Sequence, residues 1–164
     1  MPIDDDIALL GRVPMLQLLG REGLRAIAIS ADSRSLAEGE VLFREGQFAE
    51  SAFVVTAGSF AVSRDEARKD LRGAAQIAGP GVLLGDIALI TETKRGATAI
   101  ALETSTVLRI SRVIFMRTVE SYPDAAARLA DALRDQVANM LGELDMVRQH
   151  LESIEPPARP SARR

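Results

Sequence analysis

The spacing of apolar residues divides the chain into three regions. Residues 1–30 carry apolar side chains at helical intervals, interrupted by Gly20 and Gly23, and predict short helices. Residues 31–111 change to short apolar segments separated by glycine-containing turns, at intervals of about 8–12 residues. That pattern is typical of an antiparallel β-barrel or jelly roll. The sequence therefore predicts a mainly β fold, an antiparallel β-roll preceded by small helices.

The strands of this roll can be placed from its apolar segments. Gly58 lies between two of the strands and predicts a hairpin that pairs them. The charged stretch 64–72, "RDEARKDLR", is interpreted as a solvated loop. The predicted strands cover residues 41–43, 53–55, 60–62, 76–78, 82–84, 98–102 and 106–110.

The third region, residues 112–155, changes to helical spacing. Ser111 is a suitable N-cap for a helix over Val113 to Val119, and Pro123 and Asp124 then begin a long helix that reaches Ile154. The steps of four and three along its apolar seam predict a homodimer, with docking on the chain's own domain as the alternative. The seam comprises Leu133, Val137, Met140, Leu144, Val147, Leu151 and Ile154.

The predicted organisation is a single domain over residues 1–155. It would be followed by a proline-rich, basic and disordered tail over residues 156–164.

Composition removes several classes of function. The net charge of −3 and the pI of about 5.3 argue against a protein that binds nucleic acid over its whole surface, and no nucleic-acid partner is expected. The chain has no cysteine and one histidine, His150, which leaves no thiol chemistry and little basis for a metal site. No cluster of nucleophile, base and orienting group is evident, so an enzyme is not expected. With no apolar run of about 18 residues and an acidic start, we expect a cytoplasmic protein without a membrane span.

The stretch "GDIALITETKRGAT", residues 85–98, has the chemistry of a small-molecule site. A helical turn that begins after Gly85 would offer backbone N–H groups to an anion, and Arg95 can donate two hydrogen bonds to a phosphate. Asp86 would repel a phosphate, but it can accept hydrogen bonds from a sugar hydroxyl. Small residues beside both groups leave room for a ligand. The combination points to a sugar next to a phosphate of limited charge, as in a cyclic nucleotide.

The same stretch resembles the phosphate-binding cassette of the cyclic-nucleotide-binding domain family. The family pattern is Gly-Glu-(Leu/Ile)-Ala-Leu, a spacer, and Pro-Arg-Ala-Ala-Thr, and it aligns here without a gap. The segment "GEVLFREGQFAESAFVVTAGSFAV" is similar to the family's first strands. The start, "ALLGRVPMLQLLGREGLRAIA", resembles the N-terminal helices of bacterial members related to the catabolite activator protein. The resemblance covers roughly residues 7 to 150.

The resemblance implies a role for each cassette residue. Arg95 stands at the phosphate-binding arginine and Asp86 at the glutamate that binds the ribose 2′-hydroxyl. The long helix matches the one that closes over the base. Leu83 and Leu84 match the strand that flanks the base, although as apolar strand residues they also fit a core. The full predicted site comprises Leu83, Leu84, Gly85, Asp86, Ile87, Ala88, Arg95, Gly96, Ala97 and Thr98.

Three positions depart from the family pattern. Asp86 is one methylene shorter than glutamate, which shortens its reach to a ribose hydroxyl. Lys94 replaces a proline and adds positive charge beside the phosphate. Gly96 lacks the hydroxyl that members preferring cGMP often carry at this position, so we favour cAMP over cGMP.

The expected function is a non-catalytic sensor of cyclic mononucleotides, without a metal or other cofactor, whose long helix moves when ligand binds. Its downstream protein is unknown. Two alternatives are carried forward. One is a transcription regulator that relies on a partner for DNA binding, and the other is a dimerisation module that no longer binds ligand.

Overall fold

A computed structural model of the chain describes residues 3–64 and 76–153. These residues form two compact units, one ending at Ala127 and the other beginning at Arg128. The helices are α1 (Ile3–Leu10), α2 (Pro14–Gln17), α3 (Gly20–Ser30), α4 (Arg112–Ser121) and α5 (Pro123–Ser153), with one 3-10 turn over Asp86–Leu89. The strands are β1 (Asp32–Leu36), β2 (Val41–Phe43), β3 (Phe48–Ala49), β4 (Ser51–Ala57), β5 (Phe60–Ser63), β6 (Gln76–Ala78), β7 (Leu83–Leu84), β8 (Thr93–Lys94), β9 (Thr98–Ala101) and β10 (Ser105–Ser111).

The strands form antiparallel sheets, which confirms the predicted β-roll. One sheet has the order β1-β10-β4-β7, a second has the order β2-β9-β5-β6, and β3 pairs with β8. Apolar side chains from both larger sheets meet in one core, where Val55, Phe60 and Val107 are fully buried. The period-two pattern of the sequence therefore places the core between the sheets.

The predicted hairpin at Gly58 is wrong. Strand β4 pairs with β10 and β7, whereas β5 pairs with β9 and β6, so the chain changes sheets at this turn. Gly58 has φ +84°, and a Cβ there would collide with Ser105. The Ser59 N–H donates to Ser105 Oγ over 3.1 Å, which fixes the turn against the start of β10. A contact 46 residues away thus overrides the local turn signal.

Three strands were not predicted from the apolar segments of the sequence. Strand β1 is polar, and Leu36 is its one buried residue, because it lies at a sheet edge and pairs with β10 alone. Strands β3 and β8 have two residues each and pair with one another. Edge and two-residue strands bury too few side chains to leave a pattern.

The N-terminal region is helical, as predicted, although Gly23 does not interrupt it. Gly23 lies within α3 and is buried there, whereas Gly20 begins that helix with φ +72°. A Cβ on Gly23 would come within 2.8 Å of the Leu19 Cβ and 3.7 Å of the Thr118 side chain. The glycine is therefore a packing position that lets α3 and α4 approach.

The C-terminal helices begin where the sequence indicates. Ser111 caps α4 by accepting a hydrogen bond from the Ile114 N–H at 3.2 Å, and Pro123 occupies the first position of α5. Ile154, the segment 65–72 and the predicted tail 156–164 lie outside the described residues. Across residues 3–64 and 76–153, no helix combines the length and apolar character that a bilayer crossing requires.

The predicted seam of α5 exposes most of its apolar side chains. Leu133 is half-buried, whereas five further seam positions are exposed by 55–63%. The exposed seam residues are Val137, Met140, Leu144, Val147 and Leu151.

Candidate functional site

The cassette is a short excursion between β7 and β9. Gly85 follows β7 and has φ +79°, a backbone conformation that residues with a side chain rarely adopt. It directs the chain into the 3-10 turn. Ala88 and Leu89 on that turn are buried and anchor it to the roll. Strand β8 then leads back to Arg95 and into β9. The predicted single helical turn after Gly85 is confirmed, in 3-10 form.

A cavity of about 620 Å³ opens beside the cassette. Nine of the ten predicted site residues line it; they are Leu83, Leu84, Gly85, Asp86, Ile87, Ala88, Arg95, Gly96 and Ala97. Thr98 does not line the cavity. Its side chain is buried, and its Oγ1 accepts a hydrogen bond from the Glu45 N–H at 3.0 Å. Thr98 thus joins β9 to the turn after β2.

Arg95 is buried inside the roll, with 7% of its surface exposed. Its guanidinium carbon lies 4.5 Å from the ring centroid of Phe43 and 5.4 Å from that of Phe53. Nη2 is 3.5 Å from Ser51 Oγ, at the outer limit of a hydrogen bond. Nη1 is fully buried and has no hydrogen-bond partner among the described residues. The side chain is held by aromatic packing, while part of its donor capacity is unused.

The charge of Arg95 faces aromatic rings and no opposite charge among the described residues. Burial lowers the pKa of its guanidinium, and the nearby positive charge of Arg109 lowers that pKa further. No acidic side chain among the described residues forms an ion pair with Arg95. A buried cation with an unused donor is costly, and an anion that enters the cavity would remove that cost.

Gly85 and Arg95 fit against each other across the cassette. A Cβ built on Gly85 would collide with Arg95 Nη1, so a side chain at this position would displace the guanidinium in addition to straining the backbone. The unused donor therefore lies directly against the backbone at the start of the 3-10 turn.

The start of the turn differs from the prediction of free backbone donors. The Ile87 N–H already donates to Asp86 Oδ1 at 3.0 Å, and the Ala88 N–H donates to the Gly85 carbonyl at 3.1 Å. Asp86 is exposed and lines the cavity while capping this amide. Because these two amides are occupied, Arg95 is the better-placed donor for an anion.

Seven further residues line the cavity but were not part of the predicted site. The sequence predicts Phe43 and Val62 only as strand residues, and Lys94 as a positive charge beside the phosphate. Strand pairing is the signal that could have found those on the strands, because residues on one face of neighbouring strands line one surface. The missed set is Phe43, Ala49, Val62, Arg64, Gln76, Thr93 and Lys94.

Arg112 braces the spacer of the cassette. Its Nη1 donates to the carbonyls of Thr91 at 3.1 Å and Ala49 at 3.4 Å. Its Nη2 lies 3.9 Å from a carboxylate oxygen of the exposed Glu92. Arg112 is also the first residue of α4, so the cassette and this helix share one side chain.

Comparison with known proteins agrees with the geometry of the site. The model of the cyclic nucleotide-binding domain matches residues 33–122. The cyclic AMP receptor protein of Thermus thermophilus is 28% identical over 122 residues, which are 74% of this chain and 56% of that protein. The chain thus spans little more than half the length of this relative.

Two solved structures extend the likeness. A cyclic nucleotide-binding-like protein from Brucella abortus is 39% identical, with a TM-score of 0.63 over 71% of this chain and 99% of that one. The N-terminal domain of a transcriptional regulator from Streptomyces coelicolor is 26% identical, with a TM-score of 0.70 over 80% of this chain and 94% of that one. The matched residues contain the whole cassette and the strands around the cavity. The chain therefore belongs to the cyclic nucleotide-binding domain family.

Proposed function

We propose that the chain is a regulatory sensor that binds a cyclic mononucleotide in the 620 Å³ cavity, with the phosphate at Arg95 and the ribose at Asp86. The observation that carries this proposal is the buried, unpartnered Nη1 of Arg95 against Gly85. A cyclic phosphodiester has one negative charge, and its oxygens would accept the unused hydrogen bonds of Arg95. A more highly charged phosphate would be repelled by Asp86, which lies in the same cavity.

We favour cAMP over cGMP as the ligand. Gly96 lines the cavity without a hydroxyl that could bind a guanine amino group. The relative from Thermus thermophilus is named for cyclic AMP, which agrees with this preference.

The proposed output is a movement of α5. The 3-10 turn contacts α4 within the first unit, and α5 follows α4 after Tyr122. A ligand that shifts the turn would displace α4 and hence the start of α5. The coupling can be no larger than the difference in ligand affinity between the two arrangements. We propose no catalytic step and no metal or other cofactor, and we place the protein in the cytoplasm with an unidentified downstream protein.

A thermal-unfolding series tests the binding proposal. At about one hundred times its dissociation constant, cAMP should add about 2.7 kcal/mol to the free energy of unfolding, a shift in Tm of roughly 5–10 °C. cGMP should give a smaller shift and AMP, a dianion, little or none. Arg95→Ala should remove the response to all three. If no cyclic nucleotide stabilises the native chain, the cavity does not have this function.

The exposed seam of α5 supports a second proposal, a homodimer formed through this helix. Leu144 lies on the seam, whereas Met146 is 71% exposed and lies off it. Leu144→Glu would bury a charge in each copy, so we expect the dimer dissociation constant to rise at least about tenfold. Met146→Glu should leave it unchanged. Sedimentation velocity across a concentration series measures both, and equal dissociation by the two variants would contradict pairing through the seam.

A further inference from the structure

The floor of the cavity contains one cross-strand row of side chains. Phe43 on β2 is the register partner of Ala99 on β9, Ala99 is the partner of Val62 on β5, and Val62 is the partner of Gln76 on β6. Register partners in an antiparallel sheet point to the same face. Phe43, Val62 and Gln76 all line the cavity, and Ala99 between them is fully buried. The row therefore runs across the binding surface from Phe43 to Gln76.

The two ends of this row have different chemistry. The Arg95 guanidinium lies 4.5 Å from the Phe43 ring, so an anion would bind at that end. Three strand-to-strand steps separate Phe43 from Gln76, a distance of about 14 Å at the usual strand spacing. In a nucleotide the phosphate and the base are attached to opposite sides of the sugar. With its phosphate at Arg95, a cyclic nucleotide would extend its base along the row toward Gln76.

We propose that Gln76 reads the edge of the purine and is a specificity-determining residue of this site. The inference rests on the proposed function and adds a recognition group that the cassette does not contain. A carboxamide offers a donor and an acceptor side by side, which matches N7 and the N6 amino group of adenine. The guanine edge presents two acceptors, N7 and O6, and leaves the carboxamide oxygen facing a second oxygen. Gln76 therefore favours adenine.

Gln76 is available for this role. Its side chain is exposed at the edge of the cavity, and no hydrogen bond joins that side chain to another described residue. Arg64, the residue directly after β5, is the competing reader because a guanidinium suits the guanine edge. It is not a member of the row, which ends at Gln76. The position of Gln76 on β6 is the reason for preferring it.

Calorimetric titration of cAMP, cGMP and cyclic inosine monophosphate measures this readout. The inosine ligand has the O6 of guanine but lacks its amino group. It therefore distinguishes recognition of the purine edge by Gln76 from rejection of the guanine amino group. In the native chain we expect cAMP to bind at least about fivefold more tightly than either competitor. Gln76→Ala should reduce both ratios to near one, and Gln76→Arg should reverse them. Ile77→Ala, a 70% exposed neighbour on the opposite face of β6, should change neither ratio.

The outcomes separate this inference from the proposed function. If the native chain binds none of the three nucleotides, the proposed function fails and the inference falls with it. If the native chain binds cyclic nucleotides and Gln76→Ala leaves their ratios unchanged, the inference alone is overturned. A preference that changes with Arg64→Ala instead of Gln76→Ala also overturns it.

Discussion

Replacing Arg95 with methionine is expected to stabilise the unliganded chain while abolishing its response to cyclic nucleotides. The guanidinium is 7% exposed and Nη1 has no partner among the described residues. Its pKa is lowered by burial and by Arg109, so the proton is bound less strongly in the folded chain than in the unfolded one. For a basic group, that sign means the charged form lowers the free energy of unfolding at every pH below the folded pKa.

The expected change in the free energy of unfolding depends on which contacts of Arg95 a methionine keeps and which it removes. Its thioether retains contact with the rings of Phe43 and Phe53, while the unpaired charge disappears. We expect the free energy of unfolding of the unliganded chain to rise by about 1–3 kcal/mol. The ligand-dependent increase of about 2.7 kcal/mol should be lost. Urea denaturation with and without cAMP measures both changes.

Arg112→Met is the matched control for the removal of an arginine. Arg112 donates to two backbone carbonyls, so its loss leaves acceptors unpaired and should lower the free energy of unfolding by about 1 kcal/mol or more. If the free energy of unfolding rises in Arg95→Met and falls in Arg112→Met, Arg95 is retained for binding rather than for stability. A lower stability of Arg95→Met without ligand would contradict an uncompensated charge at this position.

The cassette could be predicted from the sequence because it is contiguous. Gly85, the 3-10 turn and Arg95 lie within eleven residues, so the excursion from β7 to β9 brings them together without help from distant pairing. The other side of the cavity could not be predicted in this way. Val62 and Gln76 meet only because β5 and β6 pair in one register, across a segment that the apolar pattern does not constrain.

The failed hairpin at Gly58 has the same physical origin. A glycine with φ +84° fits a hairpin turn and a crossing between sheets equally well, so the local signal is ambiguous. Contact with Ser105 makes the choice, and that contact depends on the position of β10 beside β4. Likewise, the sequence predicts Arg95 as a phosphate ligand, but its burial against two aromatic rings depends on sheet packing.

Gly85→Ala is expected to weaken ligand binding and to lower the free energy of unfolding. Its two causes are backbone strain and the collision with Arg95, and a second glycine, Gly46, separates them. Gly46 has φ +87° and no atom near a Cβ built on it, so Gly46→Ala measures backbone strain alone, about 1–2 kcal/mol. Gly85→Ala carries the same strain and also drives its methyl group into Arg95 Nη1. The guanidinium must then leave its position against the turn. We expect a larger loss of stability than in Gly46→Ala and at least a tenfold weaker affinity for cAMP, roughly 1.4 kcal/mol.

The contact between Gly85 and Arg95 can be isolated with a double-mutant cycle. In the Arg95→Met background the colliding nitrogen is absent, so Gly85→Ala should cost no more than Gly46→Ala does. The resulting coupling in the free energy of unfolding should lie within about 0.5–3 kcal/mol, whereas the pair Gly46→Ala and Arg95→Met should be additive. Denaturation of the four chains in each cycle measures both couplings. Additivity for Gly85 as well would mean that the space beside Gly85 accepts a methyl group. The contact between Arg95 and Gly85 would then not define the proposed phosphate end of the cavity.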